Sequence, residues 1–166
     1  PLSDGICREG LRLAGRSLQK AFTQGSDLEA RSDMAAASLC GGLGLANARL
    51  GAVHGLAAAL GGACGVPHGS ACAILLAPAM EANFRALKDR EPGHPALDKM
   101  KEAARMLTGD SLARAEQGIK WVVYLSRALA IPGLKAWGVR KPHFTELAEK
   151  AARSSSMSSS LFSLCM

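Results

Sequence analysis

Two histidines mark the stretch of this chain where a metal site could be built. His54 lies in Gly51-Ala52-Val53-His54-Gly55 and His68 in Gly65-Val66-Pro67-His68-Gly69, 14 residues apart. The glycines between them let the chain fold back so that both imidazoles point into one space. A pair of neutral imidazoles suits zinc, iron, nickel or copper. The same spacing fits a plainer arrangement in which each ring is hydrogen-bonded within a packed helix. A second constellation overlaps the first: Cys64, His68 and Cys72 stand at i, i+4 and i+8, which on a continuous helix would bring sulfur, nitrogen and sulfur onto one face. Gly65 and Pro67 interrupt such a helix, and a buried free cysteine behaves as a small hydrophobe, so the cysteines are assigned to packing. His94, in Pro92-Gly93-His94-Pro95, and His143, after Pro142, fall in connections or helix starts and carry no chemical role. There is no phosphate-binding Gly-rich loop and no nucleophile elbow, and no residue is assigned as catalytic.

The elements that must position the two histidines are legible around them. From Leu50 to Met80 the chain runs 31 residues without a formal charge. Gly61-Gly62 and Gly65-Val66-Pro67 divide that run into two shorter helical pieces, a central hairpin of a folded core rather than a membrane span. Glycines at four-residue intervals, such as Gly51 with Gly55 and Gly61 with Gly65, permit close backbone approach, and Pro67 suits the first position of the second piece. Ahead of this hairpin, Cys7, Leu11, Ala14, Leu18 and Phe22 mark the apolar face of a first helix. Arg8, Arg12, Arg16 and Lys20 follow one another on a different face, which reads as a solvated charged surface, with an anion-binding strip as the alternative. Ser26-Asp27-Leu28-Glu29 has the form of a capping box, Ser26 and Glu29 being the partners, and opens a second helix reaching the forties. Beyond a polar, Pro-rich connection from Lys88 to Pro95, the residues Leu97, Met100, Ala104 and Leu107 mark a helix ended by Gly109. Ile119, Val122, Val123, Ser126 and Leu129 or Ala130 mark the next, stopped by Pro132-Gly133. A last short helix starts at Pro142 and carries Phe144, Leu147, Ala148 and Ala151. The Ser-rich end from Ser154 to Ser160 is expected to fray.

Composition agrees with this helical reading. The 166 residues include 30 Ala and 23 Leu against 12 Val, Ile and Thr together, the bias of helix formers, so the fold class expected is all-α. A chain of this length buries roughly 70% of its unfolded surface without staples, and no internal repeat or second domain is evident. The net charge of +6 favours solubility, but seven aromatic residues provide few stacking surfaces, which argues against a nucleic-acid partner. The five cysteines, Cys7, Cys40, Cys64, Cys72 and Cys165, form an odd set without a C-x-x-C pair and without a signal peptide ahead of them; they read as reduced thiols of a cytoplasmic protein. The chain begins at Pro1 rather than Met and reads as a piece of a longer product.

The run Gly42-Leu43-Gly44-Leu45-Ala46-Asn47-Ala48-Arg49-Leu50-Gly51-Ala52-Val53-His54-Gly55-Leu56-Ala57, followed by Pro67-His68-Gly69 and Ala73-Ile74-Leu75-Leu76, resembles the iron-containing (group III) alcohol dehydrogenases. The likeness extends more loosely from Pro1, through Arg8-Glu9-Gly10-Leu11-Arg12-Leu13, to about Met157. It is a likeness to that family's carboxy-terminal helical domain, whose all-α fold is shared with dehydroquinate synthase-like enzymes. The resemblance implies residues 1–157 as a helical metal-binding domain. It also implies an amino-terminal domain binding NAD or NADP, which has no counterpart in these residues.

The metal implied is Fe2+, with Zn2+ in some relatives, held by one Asp and three His. The last two of those histidines fall on His54 and His68, while the Asp and the first His belong to a helix that precedes Pro1 in the family. Many relatives carry another His one turn after the first ligand of this pair; Ala58 stands there instead, so a proton relay would use water or a substrate hydroxyl. Residues 158–166 depart from the family pattern and are expected to be disordered. The function implied is oxidoreduction of a small alcohol or aldehyde by hydride transfer, with these residues inactive by themselves. A homodimer is implied as a partner state, and no membrane. The alternatives are a domain of a maleylacetate reductase or polyol dehydrogenase, or a non-catalytic helical interaction module.

Overall fold

Alanine and leucine cost little entropy when they are fixed in a helix, and the chain uses them accordingly. The structure, a computed structural model, describes residues 2–48 and 50–153. Among these there are seven α-helices, one 3-10 turn and no strand, the all-α class expected. In chain order they are α1 (Leu2–Thr23), α2 (Leu28–Asn47), α3 (Ala52–Cys64), α4 (His68–Arg90), α5 (Pro95–Thr108), α6 (Ala115–Ala128), the 3-10 turn Leu134–Trp137, and α7 (His143–Ala152). The Ser-rich segment from Ser154 and the tail 158–166, with Cys165, lie outside the described residues. Two compact units emerge, one of α1, α2, α5 and α6 and the other of α3, α4, the 3-10 turn and α7. No single helix among the described residues is long and apolar enough to cross a membrane.

In the first unit α1 packs against α2 and α5, and α5 against α6. The face α1 buries is not the one its large apolar residues suggest. Leu13 and Ser17 are buried and Leu11, Ala14 and Leu18 half-buried, whereas Cys7 and Phe22 are exposed. The reason is close backbone approach at small residues. A Cβ added at Gly15 would stand 2.8 Å from the Met106 carbonyl oxygen, and one at Gly118 of α6 would stand 2.7 Å from the Ala104 Cβ of α5. The basic residues of α1 do not form an anion-binding strip, because each faces a carboxylate: Arg8 with Glu102, Arg12 with Glu9, Arg16 with Asp33 and Lys20 with Asp27. Asp33 is the buried member of this set. It accepts two bonds from the Arg16 guanidinium, at 2.8 and 2.7 Å, and a third from the Ser17 hydroxyl.

Helix ends differ from the sequence reading at α2, α4 and α6, and α7 begins at His143 with Pro142 as its N-cap. The N-cap of α2 is Asp27, not Ser26; its carboxylate accepts the Ala30 N–H at 2.8 Å, and an anion at that position also meets the positive end of the helix dipole. Helix α4 continues through Pro78 to Arg90, absorbing Lys88, Asp89 and Arg90 from the expected connection and forgoing one helical hydrogen bond at the proline. Helix α6 stops at Ala128, four residues before Pro132, where Leu129 caps it and Ala130 takes a left-handed φ of 51°. His94 caps α5 through Nδ1, which accepts the Ala96 N–H at 3.1 Å. His143 Nδ1 accepts the Arg140 N–H at 3.2 Å, so both histidines have the structural roles expected of bystanders.

The second unit is held by an apolar cluster: Ala57 and Leu60 of α3, Val66 of the connection, Ala71 of α4, Val139, and Leu147 of α7. Cys64, Cys72, Leu75, Leu134 and Trp137 pack around it. The 3-10 turn, absent from the sequence reading, contributes the last two of these; four residues are too few to show a periodicity.

Candidate metal centre

His54 sits in the first turn of α3 and His68 opens α4, so ten residues of α3, a rise of about 15 Å, separate His54 from the helix end at Cys64. The rings nonetheless meet, because the connection runs back along α3. Gly65 ends α3 in the left-handed conformation, φ 64°, its N–H donating to the Gly61 carbonyl at 3.1 Å. This is the role a glycine fills at a helix C-terminus. The Val66 carbonyl oxygen then lies back over Gly61, 3.5 Å from where a Cβ would stand. Val66 is buried in the core, Pro67 precedes the helix, and the Pro67 carbonyl accepts the Ala71 N–H at 2.9 Å, starting α4. Pro67 therefore stands one place before the first helical residue rather than on it.

The outcome is a cluster of three donors. The imidazole centroids of His54 and His68 are 5.4 Å apart with their planes inclined at 49°. Cys72 follows His68 by one turn of α4, and its Sγ is 3.5 Å from His68 Nε2. One ligand atom from each of His54, His68 and Cys72 lies within 4.8 Å of the others. His54 and Cys72 are half-buried and His68 is exposed. Burial, and then the neighbouring His68 ring, hold the His54 imidazole below the ordinary histidine range, which keeps its lone pair free at neutral pH. Burial pushes the Cys72 thiol up. Two imidazoles and a thiol form a donor set that fits a borderline-soft divalent cation.

The two histidines singled out by the sequence are thus neighbours in space. The S–N–S face expected of Cys64, His68 and Cys72 is not formed, because Gly65 ends α3 at Cys64, and only the His68–Cys72 half survives. Cys64 and Cys72 do pack against the apolar core, as assigned. The approach of Cys72 to His54 was not anticipated; its only signal was the four-residue interval from His68 on a helix beginning at His68. Ala58, one turn after His54 on α3, is exposed.

A family model for the Fe-containing alcohol dehydrogenase family, C-terminal, matches residues 1–162, and the chain belongs to that family. It is 36% identical over 155 residues to a 1,3-propanediol dehydrogenase of Klebsiella pneumoniae, covering 92% of this chain and 39% of that protein. Against alcohol dehydrogenase 4 of Saccharomyces cerevisiae it is 37% identical over 152 residues, 91% of this chain and 38% of the relative. A solved 1,3-propanediol oxidoreductase matches the fold with a TM-score of 0.84 at 33% identity, covering 95% of this chain and 40% of that one. The alcohol dehydrogenase from Oenococcus oeni gives 0.80 at 34% identity, over 94% and 40%. The chain spans about two fifths of the length of these relatives. Membership implies a divalent metal and a nicotinamide cofactor.

Proposed function

We propose that this chain is the metal-binding helical part of an NAD(P)-dependent alcohol dehydrogenase, acting on a small alcohol or aldehyde, in which His54 and His68 are two of the ligands of a divalent metal, Fe2+ first and Zn2+ second. The observation that carries the reading is the approach of the two imidazoles from different helices to 5.4 Å within the family's segment. The substrate class is supported by relatives named for 1,3-propanediol and for alcohol.

A divalent metal at such a site supplies Lewis acidity toward an alcohol or carbonyl oxygen. The residues of this chain hold and orient. His54 contributes a neutral ring fixed by burial in α3, and His68 a ring fixed by the start of α4. Neither serves as acid or base, since each lone pair is committed to the ligand role. A nicotinamide cofactor held by the rest of the enzyme would supply the hydride acceptor, and the alcohol's proton would then need a route of its own. The methyl group of Ala58 neither accepts nor donates that proton, so it leaves through water or a substrate hydroxyl. The nucleotide-binding domain implied by the family, and the remaining ligands, are partners of this stretch; the 166 residues by themselves are expected to give no turnover.

Metal analysis of the enzyme containing this stretch, beside its His54→Ala and His68→Ala variants, tests the reading. We expect stoichiometric metal in the parent and its loss in both variants. Full metal content in both would overturn the assignment.

A further inference from the structure

We propose that the face of α2 turned away from α1 is the seat of the segment that precedes Pro1 in the longer enzyme, an amphipathic helix laid along Leu28, Ser32, Ala35, Leu39, Leu43 and Ala46. The inference goes beyond the metal reading, and its test uses neither metal content nor turnover.

Beyond Asp33, α2 carries no charged residue on any side. Toward α1 it turns Ala30, Asp33 and Gly44, all buried: Asp33 meets Arg16 and Ser17 of α1, and Gly44 stands against Cys7. On the opposite side the six residues named above recur at intervals of three and four, the spacing of a second packing stripe. All six are exposed, Leu28 by 80% and Leu39 by 65%. Helix α5 shows what a helix with an outer side facing water looks like here, for it exposes Asp98, Lys101 and Arg105. A helix without such a charged side is expected to be covered all round. Leucines separated by Ala and Ser form ridges and shallow grooves that fit another helix.

Chain direction selects the occupant. The match is to the C-terminal part of the family and covers about two fifths of its members, so most of such an enzyme precedes Pro1. Helices α1 and α2 run antiparallel: Cys7 faces Gly44, and a Cβ on Gly10 would stand 2.9 Å from the Cys40 Cβ. Leu2 lies five residues before Cys7, a rise of about 7.5 Å, so the chain enters α1 beside the carboxy-terminal end of α2. The far side of α2 is two interaxial distances from α1, about 16–20 Å, which about six extended residues span. A preceding helix therefore reaches the outer stripe through a short connection and runs parallel to α2, in keeping with the adjacency of consecutive elements. Its tether gives it an effective concentration of about millimolar, an advantage over a second copy. The α1–α5 side offers no comparable seat, being bridged by Arg8–Glu102 and Lys99–Asp4.

Photo-crosslinking of the enzyme containing this stretch tests the proposal. A benzophenone-bearing residue replaces Leu39 in one preparation and Ala35 in another, and the peptides joined on irradiation are identified by mass spectrometry. Both positions are expected to capture the same chain within about 30 residues before Pro1, the length of a helix matching the stripe plus its connection. Capture of a second copy, seen as a doubled mass, overturns the proposal. So does capture of a more distant part of the chain, or no capture from either position. Amide hydrogen exchange provides a second measurement: Leu39→Asp should speed exchange along the carboxy-terminal half of α2 on the order of 10-fold, and Leu39→Met should leave it as in the parent. Equal exchange in the parent and Leu39→Asp overturns the proposal, and if Leu39→Asp does not fold the cross-links decide. Each of these outcomes leaves the two-histidine reading to be judged separately by metal analysis.

Discussion

The two compact units of this chain solve the problem of helix packing in opposite ways. In the first, charge crosses between helices: Arg8 of α1 meets Glu102 of α5 at 2.7 Å, Lys99 of α5 meets Asp4 of α1 at 3.1 Å, and Arg16 of α1 meets Asp33 of α2 at 2.7 Å. Beneath those pairs, glycines set the approach of the backbones. In the second, the ion pairs Arg85–Glu81 and Lys150–Glu146 each run along one helix, and the helices are joined by the apolar cluster of α3, α4 and α7. The difference separates structure from chemistry. In the first unit the basic row of α1 is matched by carboxylates of α1, α2, α5 and the turn before α2. In the second, the uncharged run from Leu50 to Met80 brings two imidazoles and a thiol together.

The sharpest break between the units is expected at His68. His68→Ala should lower turnover of the enzyme containing this stretch on the order of 1000-fold through loss of the metal. The side chain is exposed, so the thermal midpoint of the metal-free chain should stay unchanged; a large drop in that midpoint would mean that His68 holds the fold instead. Next comes Leu60, 3% exposed at the centre of the second unit's cluster. Leu60→Ala should cost about 3 kcal/mol in urea unfolding, and it should lower the metal content of the enzyme containing this stretch as well, because Leu60 anchors the helix that carries His54.

A smaller effect is expected at Gly118, where a methyl group must displace Ala104 of α5, not a flexible side-chain tip. Gly118→Ala should cost about 1–2 kcal/mol, overpacking outweighing the gain in helix propensity. It should leave the metal content of the enzyme unaltered wherever the chain stays folded, and an equal loss of metal would remove the distinction between the units. The smallest change concerns Asp33, whose carboxyl is held below its ordinary value of 3.8 by the Ser17 hydroxyl and then by the Arg16 guanidinium. A depressed carboxyl stabilises the fold above its unfolded value, and this contribution is lost as pH falls through the lower folded value. Asp33→Asn should therefore lower the urea midpoint at pH 7, with the gap to the parent narrowing as pH falls below 3.8 through the depressed folded value. A gap that persists in acid would assign the effect to packing.

Much of the fold was legible because helix periodicity and helix stops are local. The ranges of α5 and α7 follow from Gly109, Pro142 and their apolar repeats, and the uncharged run divides at Gly65 as its composition suggests. Packing faces were less legible. The large residues of α1, Cys7 and Phe22, are exposed because glycine contacts, which leave no mark in a hydrophobic periodicity, decided which side meets α2 and α5. The basic row on α1 could not be read as neutralised, since Glu102 is 94 residues from Arg8 in the chain. At the candidate site, His54 and His68 were legible as a pair, whereas Cys72 was set aside with Cys64.

The sequence by itself determined the helical class, the two imidazoles and the family to which the chain belongs, because each is written in residue types and short intervals. Only the tertiary structure decided that the Gly65-Val66-Pro67 connection returns along α3, and therefore that His54 shares its surroundings with a thiol on the next helix. Chain direction after a left-handed glycine depends on where Val66 finds a buried place. That place is built by α3, α4 and α7 together, which no interval along the chain encodes.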